Sequence, residues 1–147
     1  MIICDTSGLV AAYSATDSRS RQVIDLLRSE PGQLLLSPFV LAEIDYLIQT
    51  RAGVRDELKV LADVANGVYT LAELDRFDVA QAAAVVERYR KMKIGLADAS
   101  LVVLAAKYGT TRLLTFRRET LPRDTAADFS RLHDPPSRRL RQTRPHN

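Results

Sequence analysis

Short apolar runs alternate with longer stretches of helical periodicity along most of the chain. The runs hold three to five residues without polar alternation, as is typical of strands buried on both faces of a sheet. They are Met1–Cys4, Leu34–Leu36, Val68–Leu71 and Arg112–Phe116. Alternation of strands and helices predicts an α/β domain in which helices cover both faces of a mostly parallel sheet.

The segments between the runs are predicted to be helical because apolar residues recur there at helical spacing, bounded by Pro, Gly and capping residues. In chain order they are Gly8–Tyr13, a helix opened by Asp17 and Ser18 and closed by Pro31-Gly32, then Phe39–Thr50, Val54–Ala65, Phe77–Lys91 and Leu96–Lys107. In parallel sheets, functional residues gather where the strands end, beside helix N-termini. That edge is where we expect the chemistry.

Composition places the chain among globular proteins, with 147 residues, 46% hydrophobic and 27% charged residues. The longest apolar stretches, about ten residues, are too short to span a bilayer, and no export signal is visible. The single cysteine, Cys4, cannot form an intramolecular disulfide. We therefore expect a cytoplasmic protein that does not associate with a membrane.

Charge is distributed unevenly along the chain. Residues 1–111 carry 12 Lys and Arg against 14 Asp and Glu, whereas residues 112–147 carry 9 against 4. Residues 117–147 are rich in Arg and Pro, and we expect this basic segment to be poorly ordered beside a domain at 1–116. Because the excess positive charge lies at this end, net charge does not identify a nucleic-acid partner for the domain.

Three carboxylates stand out because they lie in or beside apolar segments: Asp5 after the first strand, Glu43 in an apolar helix, and Asp98 near a helix start. Each also has an ordinary interpretation. Asp5 could cap the next helix, Asp98 could interact with a helix dipole, and Glu43 could form a buried ion pair. Asp45 lies about 200° from Glu43 around the same helix, and helical geometry does not choose between the two.

Taken together, the carboxylates suggest a cation site. Burying several acids without partners costs several kcal/mol each, and a divalent ion would satisfy them at once. All-oxygen ligands suit Mg²⁺ or Mn²⁺, not zinc. The only histidines, His133 and His146, lie in the C-terminal segment, which argues against a Ser–His or Cys–His nucleophile.

Four segments follow one another in a specific order and spacing. They are Met1-Ile2-Ile3-Cys4-Asp5-Thr6-Ser7, Leu36-Ser37-Pro38-Phe39-Val40-Leu41-Ala42-Glu43-Ile44-Asp45-Tyr46-Leu47, Ile94-Gly95-Leu96-Ala97-Asp98-Ala99-Ser100 and Leu113-Leu114-Thr115-Phe116. Together they resemble the PIN-domain nucleases, and within them the VapC toxins of bacterial toxin–antitoxin pairs. The resemblance covers about residues 1–116 and selects Glu43 over Asp45, since Glu43 holds the family's acidic position.

The resemblance implies a PIN-like three-layer α/β/α sandwich and cleavage of RNA phosphodiester bonds with Mg²⁺ or Mn²⁺. It also implies a homodimer that is inhibited by a cognate VapB-like antitoxin. By position, Asp5 and Asp98 would be metal ligands, and Glu43 would complete the acidic centre directly or through water. Nearby cations would then have to meet RNA phosphates, and Arg19, Arg21, Lys91 and Lys93 are candidates in connecting segments.

The chain departs from the family after the fourth strand. Family members usually carry Leu-Thr-x-Asp there, whereas Thr115 is followed by Phe116-Arg117-Arg118, and Glu119 is the nearest acid. An alternative hypothesis is therefore a catalytically weakened PIN domain that binds antitoxin or RNA. A receiver-like signalling domain is a third candidate, but it usually needs paired acids after the first strand and a Lys after the last.

Overall fold

The computed structural model describes residues 1–14, 17–29 and 33–116 of the chain. Within them, the strands are β1 (Ile2–Cys4), β2 (Leu34–Leu36), β3 (Thr70–Leu71) and β4 (Leu113–Leu114). The helices are α1 (Thr6–Tyr13), α2 (Ser20–Ser29), α3 (Pro38–Ala52), α4 (Val54–Ala65), α5 (Arg76–Arg88) and α6 (Leu96–Tyr108), with a 3-10 turn at Arg90–Met92. The predicted order of strands and helices is confirmed.

The strands form one parallel sheet in the order β3-β2-β1-β4. Cys4 at the end of β1 pairs with Leu36 of β2 and with Leu114 of β4, so neighbouring strands end at one edge. The chain runs outward from β1 to β2 and β3, then returns to the other side of β1 for β4. Because parallel crossovers are right-handed, this reversal places α5 and α6 on the opposite face from α1–α4. The α/β/α layering follows.

The core has two parts. The larger part contains the three buried residues of β1, those of β2, and apolar side chains from α1, α3 and α6. The smaller part lies between α5 and α6 and is formed by Ala82, Val85, Ala99, Val102 and Val103. In the described part of the chain, no helix is long and apolar enough to cross a membrane.

The structure differs from the sequence prediction in several details. The fourth strand is only Leu113–Leu114, and α5 ends at Arg88 and not at Lys91. The third strand begins at Thr70, not Val68, because the Val68 N–H donates to the carbonyl of Asp63 (3.0 Å) and so belongs to the end of α4. Helix α3 is also not buried all round. It buries one stripe, Val40, Ile44 and Ile48, while Tyr46 on another side is 65% exposed. The apolar composition of this segment therefore predicted more burial than α3 has in the structure.

Candidate active site

The carboxyl end of β1 is the point where strand order reverses, because β1 lies between β2 and the returning strand β4. Ligands of open α/β sheets bind outside the strand ends at such a point. Asp5 directly follows β1, and its backbone N–H donates to the Leu114 carbonyl (3.1 Å) at the end of β4. The chain thus places Asp5 where a site is expected in this class of fold.

The Asp5 carboxylate is buried, with 3% of the residue exposed, and it is held by hydroxyl groups. Its Oδ2 accepts hydrogen bonds from Ser7 Oγ (2.7 Å) and Thr115 Oγ1 (2.8 Å). Although Asp5 occupies the N-cap position of α1, its side chain makes no capping hydrogen bond. Within the described residues, no Lys or Arg forms a salt bridge with it. A buried charge is therefore supported here by neutral donors.

Close packing of α1 against β4 brings these hydroxyls to Asp5. A Cβ atom at Gly8 would lie 2.5 Å from the Leu114 carbonyl oxygen, so only glycine permits this approach without a shift. Ser7 Oγ then lies 3.2 Å from Thr115 Oγ1 and accepts a hydrogen bond from the Phe116 N–H (3.0 Å). The sequence analysis missed Ser7 and Thr115 as positioning residues, although both lie in the motifs that carry the family resemblance.

Glu43 reaches the same edge from α3. The hydroxyl of Thr6, the residue after Asp5, donates to Glu43 Oε2. This contact joins α1 to α3 and brings the two acids to neighbouring positions at the start of α1. Asp45, about 200° away around the helix, does not share that contact. The structure thus gives a physical reason to prefer Glu43, which helical geometry alone could not supply.

Asp98 lies in the first turn of α6, where its Oδ2 accepts a long hydrogen bond from the Gly95 N–H (3.4 Å). Two residues on, the fully buried Ser100 shares a hydrogen bond with the fully buried Ser37 (Oγ to Oγ, 2.7 Å). Because Ser37 follows β2, this bond ties the start of α6 to the edge that carries Asp5. Ser100 is a polar residue within the apolar Leu96–Leu104 run, and this feature of the sequence could have indicated the link.

The donor chemistry of the three predicted acids fits a hard cation such as Mg²⁺ or Mn²⁺, because all the side chains offered at the edge are carboxylates and hydroxyls. Asp5 fits as one ligand. The described residues nevertheless contain no group of three or more His, Cys, Asp and Glu arranged to hold a metal ion. Family members usually carry a fourth acid in a Leu-Thr-x-Asp pattern at the end of β4, but here Thr115 is followed by Phe116 and the pattern has no Asp. The nearest acid, Glu119, lies outside the described residues.

The predicted phosphate-binding cations differ in their surroundings. Arg19 is paired with Asp17 through two hydrogen bonds (2.9 and 2.7 Å), and its guanidinium carbon lies 4.6 Å from the centre of the Phe116 ring. This pairing lowers the pKa of Asp17 to about 2. Arg21, Lys91 and Lys93 are exposed, and among the described residues no hydrogen bond or salt bridge joins them to Asp5, Glu43 or Asp98. Arg19 is thus the member of the set that lies near the site.

Comparison with known proteins identifies the fold family. A sequence model described as "PIN domain" matches residues 2–120. The chain belongs to the PIN-domain family. This PIN domain is 42% identical over 117 residues to Ribonuclease VapC26 of Mycobacterium tuberculosis, covering 80% of the chain and 87% of that protein. Among solved structures it matches VapC20 of Mycobacterium tuberculosis, described as a sarcin–ricin loop cleaving toxin, with a TM-score of 0.75. That match has 24% identity and covers 90% of this chain and 95% of the other.

These matches confirm the predicted PIN fold and the recognition of a VapC-type PIN-domain ribonuclease. They also favour the toxin ribonuclease over a weakened binding module. The receiver-like candidate was wrong, because the family match covers nearly all of the described chain. The C-terminal segment at 117–147, expected to be poorly ordered, lies outside the described residues.

Proposed function

We propose that this PIN domain is the toxin of a toxin–antitoxin pair and hydrolyses RNA phosphodiester bonds with Mg²⁺ or Mn²⁺. It acts in the cytoplasm as a homodimer and is inhibited by a VapB-like antitoxin. Support comes from the relative named a ribonuclease and from the fold shared with an RNA-cleaving toxin. Which RNA is cut depends on loops and surface cations that vary within one fold.

The observation that carries the proposal is the environment of Asp5. Asp5 is 3% exposed, its carboxylate accepts side-chain hydrogen bonds from hydroxyls, and no Lys or Arg of the described residues compensates a charge on it. Such a charge costs several kcal/mol unless a cation neutralises it. This arrangement is expected of a ligand and not of a structural acid.

Each nearby residue then has a defined role. Asp5 and Asp98 bind the ion, and Glu43 completes the acidic centre directly or through a water molecule. When held by these residues, such an ion would supply activation of a water nucleophile and neutralisation of the charge that develops on the phosphate. Ser7 and Thr115 hold the Asp5 carboxylate, and Thr6 orients Glu43. The Ser37–Ser100 bond fixes the start of α6 and with it Asp98.

The test is cleavage of total cellular RNA by the purified chain, with Mg²⁺, with Mn²⁺, or with EDTA. We expect cleavage with either ion and none with EDTA. Asp98→Asn and Glu43→Gln should each lower the rate about 100-fold, since each removes a group from the centre. Asp45→Asn is the matched control, on the same helix but away from the site, and should retain full activity.

Circular dichroism has to show that each variant is folded. Full activity in folded Asp98→Asn would contradict the proposed centre. Equal losses in Glu43→Gln and Asp45→Asn would contradict the role given to Glu43. Tight Mn²⁺ binding without cleavage of any RNA would instead support the weakened binding module suggested by the missing fourth acid.

A further inference from the structure

A groove leads away from the acidic edge along α1 and α3. Its inner part is a cavity of about 250 Å³ whose lining includes Thr6, Ser7 and Glu43 of the candidate site. Its outer part, here called the outer groove, is a cavity of about 820 Å³ that reaches Tyr13, Ala52 and Asp56. Five residues line both cavities: Val10, Asp17, Arg19, Leu47 and Arg51. The outer groove therefore opens directly onto the acidic edge.

Arg51 lies at the junction of the two cavities, on the face of α3 that carries Glu43. Residues 43, 47 and 51 are spaced by four and so share one side of the helix. Eight residues at 1.5 Å each place Arg51 about 12 Å from Glu43 along the helix axis. A group bound by Arg51 would thus lie beyond the reacting phosphate, not at it.

The other charged residues of the groove already have partners. Arg19 is bonded to Asp17, and Asp56 is paired with Lys59. Arg51 is exposed and forms no salt bridge with another described residue. Its position in the last turn of α3 also suits the helix dipole, which is the ordinary role of such a residue. A dipole role alone would not require the side chain to line both cavities.

An RNA strand entering this edge approaches Asp5 and Glu43, which repel its phosphates. A cation before the acidic centre offsets that repulsion and holds the strand in register. Arginine suits this task because its planar fork of donors matches phosphate oxygens and it remains charged at all working pH values.

We propose that Arg51 binds an RNA phosphate next to the reacting one, and that the outer groove carries the strand to the acidic edge. The inference rests on the proposed ribonuclease function. Some contacts hold the substrate equally strongly in the ground state and in the transition state. Removing such a contact raises KM and leaves kcat unchanged. We expect that pattern for Arg51→Gln on any RNA that the protein cleaves.

Binding can be measured separately from cleavage by fluorescence anisotropy, using the full chain, a short fluorescein-labelled oligouridylate, and Ca²⁺ in place of Mg²⁺. Arg51→Gln should weaken binding about ten-fold at low salt and reduce the slope of log K against log salt concentration by about 0.7, the value for one phosphate contact on a single strand. Arg51→Lys should be intermediate, because it keeps the charge but not the fork.

Arg55→Gln is the matched control, since it makes the same charge change on an exposed residue that lines neither cavity. We expect less than about a two-fold effect from it. Melting temperatures separate a binding effect from a helix-dipole effect. If Arg51→Gln and Arg55→Gln bind alike while the wild type binds RNA, the role of Arg51 is wrong but the ribonuclease proposal stands.

Two further outcomes would also contradict the inference. If the wild type neither binds nor cleaves RNA, the proposed function and the role of Arg51 fail together. If Arg51→Gln binds RNA normally but loses affinity for the purified antitoxin, the groove belongs to the protein partner and not to RNA.

Discussion

Two buried aspartates, one in α5 and the other at the carboxyl end of β1, are supported in different ways. Asp78 in α5 is 8% exposed and accepts hydrogen bonds from Lys107 Nζ (2.7 Å) and the Asp75 N–H (3.0 Å). Asp5 at the end of β1 is 3% exposed and is bound by Ser7 and Thr115. The first acid has a cation from the protein itself. The second has neutral donors only, among the residues described.

We propose that this difference separates a structural acid, Asp78, from a metal ligand, Asp5. Lys107 also donates to the Glu73 carbonyl (2.9 Å), so the charge of Asp78 is part of a closed local network that joins α5 to α6. Asp5 lies at the switch point of the sheet, beside the cavity lined by Thr6 and Ser7, and within the described residues no Lys or Arg is paired with it. The pair of residues therefore predicts opposite responses to removal of the charge.

The largest effect is expected from Asp5→Asn. The amide oxygen can still accept hydrogen bonds from Ser7 and Thr115, but the ligand charge is lost. Ribonuclease activity should fall about 100-fold or more, and Mn²⁺ affinity should fall with it. In the metal-free protein the melting temperature should stay the same or rise, because an unpaired buried charge has been removed. Calorimetry with Mn²⁺ and a thermal melt in EDTA measure the two effects.

If Asp5→Asn lost stability but kept its activity, the proposed difference between Asp5 and Asp78 would be contradicted. That result would show that Asp5, like Asp78, is a structural acid. The ligand role of Asp98 would then have to be judged from its own variant alone.

A smaller effect is expected from Thr115→Val, which keeps the shape of the side chain and removes the hydroxyl that binds Asp5 Oδ2. We expect activity about ten-fold lower and stability about 1 kcal/mol lower, as is typical of losing one hydrogen bond to a ligand residue. Thr115→Ser restores the donor and should restore most of both. Wild-type cleavage by Thr115→Val would mean that Ser7 alone suffices to hold the carboxylate.

Local signals predicted most of the fold. Helix α4 was predicted with both ends as observed, because Gly53 and Asn66 mark them in the sequence. The last two strands were predicted too long. An apolar run continues past the strand, whereas the length of a strand is set by its partner in the sheet. Such pairing joins residues far apart in sequence and leaves no local mark.

The candidate site was predicted in part for the same reason. Acids in apolar segments drew attention to Asp5 and Asp98, since an isolated sequence shows that burial would be costly there. The hydrogen bond from Thr115 to Asp5 joins residues 110 positions apart, and no periodicity in the sequence indicates it. Helical geometry left Glu43 and Asp45 equivalent, and the family resemblance alone selected Glu43 until the contact between α1 and α3 was known. That contact, with Thr6, is a tertiary property.

The smallest effect on activity is expected from Asp78→Asn. Cleavage should stay within about two-fold of wild type, because α5 and Lys107 lie away from the acidic edge. Stability should fall by about 1 kcal/mol, a modest value since the side chain of Lys107 is 36% exposed and solvent screens the pair. A double-mutant cycle with Lys107→Gln isolates the interaction between the two side chains.

The pH dependence of the unfolding free energy provides a second test of the interaction between Asp78 and Lys107. Hydrogen bonding and charge from Asp78 raise the pKa of Lys107 above its usual 10.5. When folding raises the pKa of a lysine, the folded state gains the full stabilisation at pH values below the pKa that the lysine has in the unfolded chain. This contribution disappears as the pH rises through the pKa that the lysine has in the folded protein. The difference in unfolding free energy between wild type and Asp78→Asn should therefore persist to about pH 10 and shrink above it.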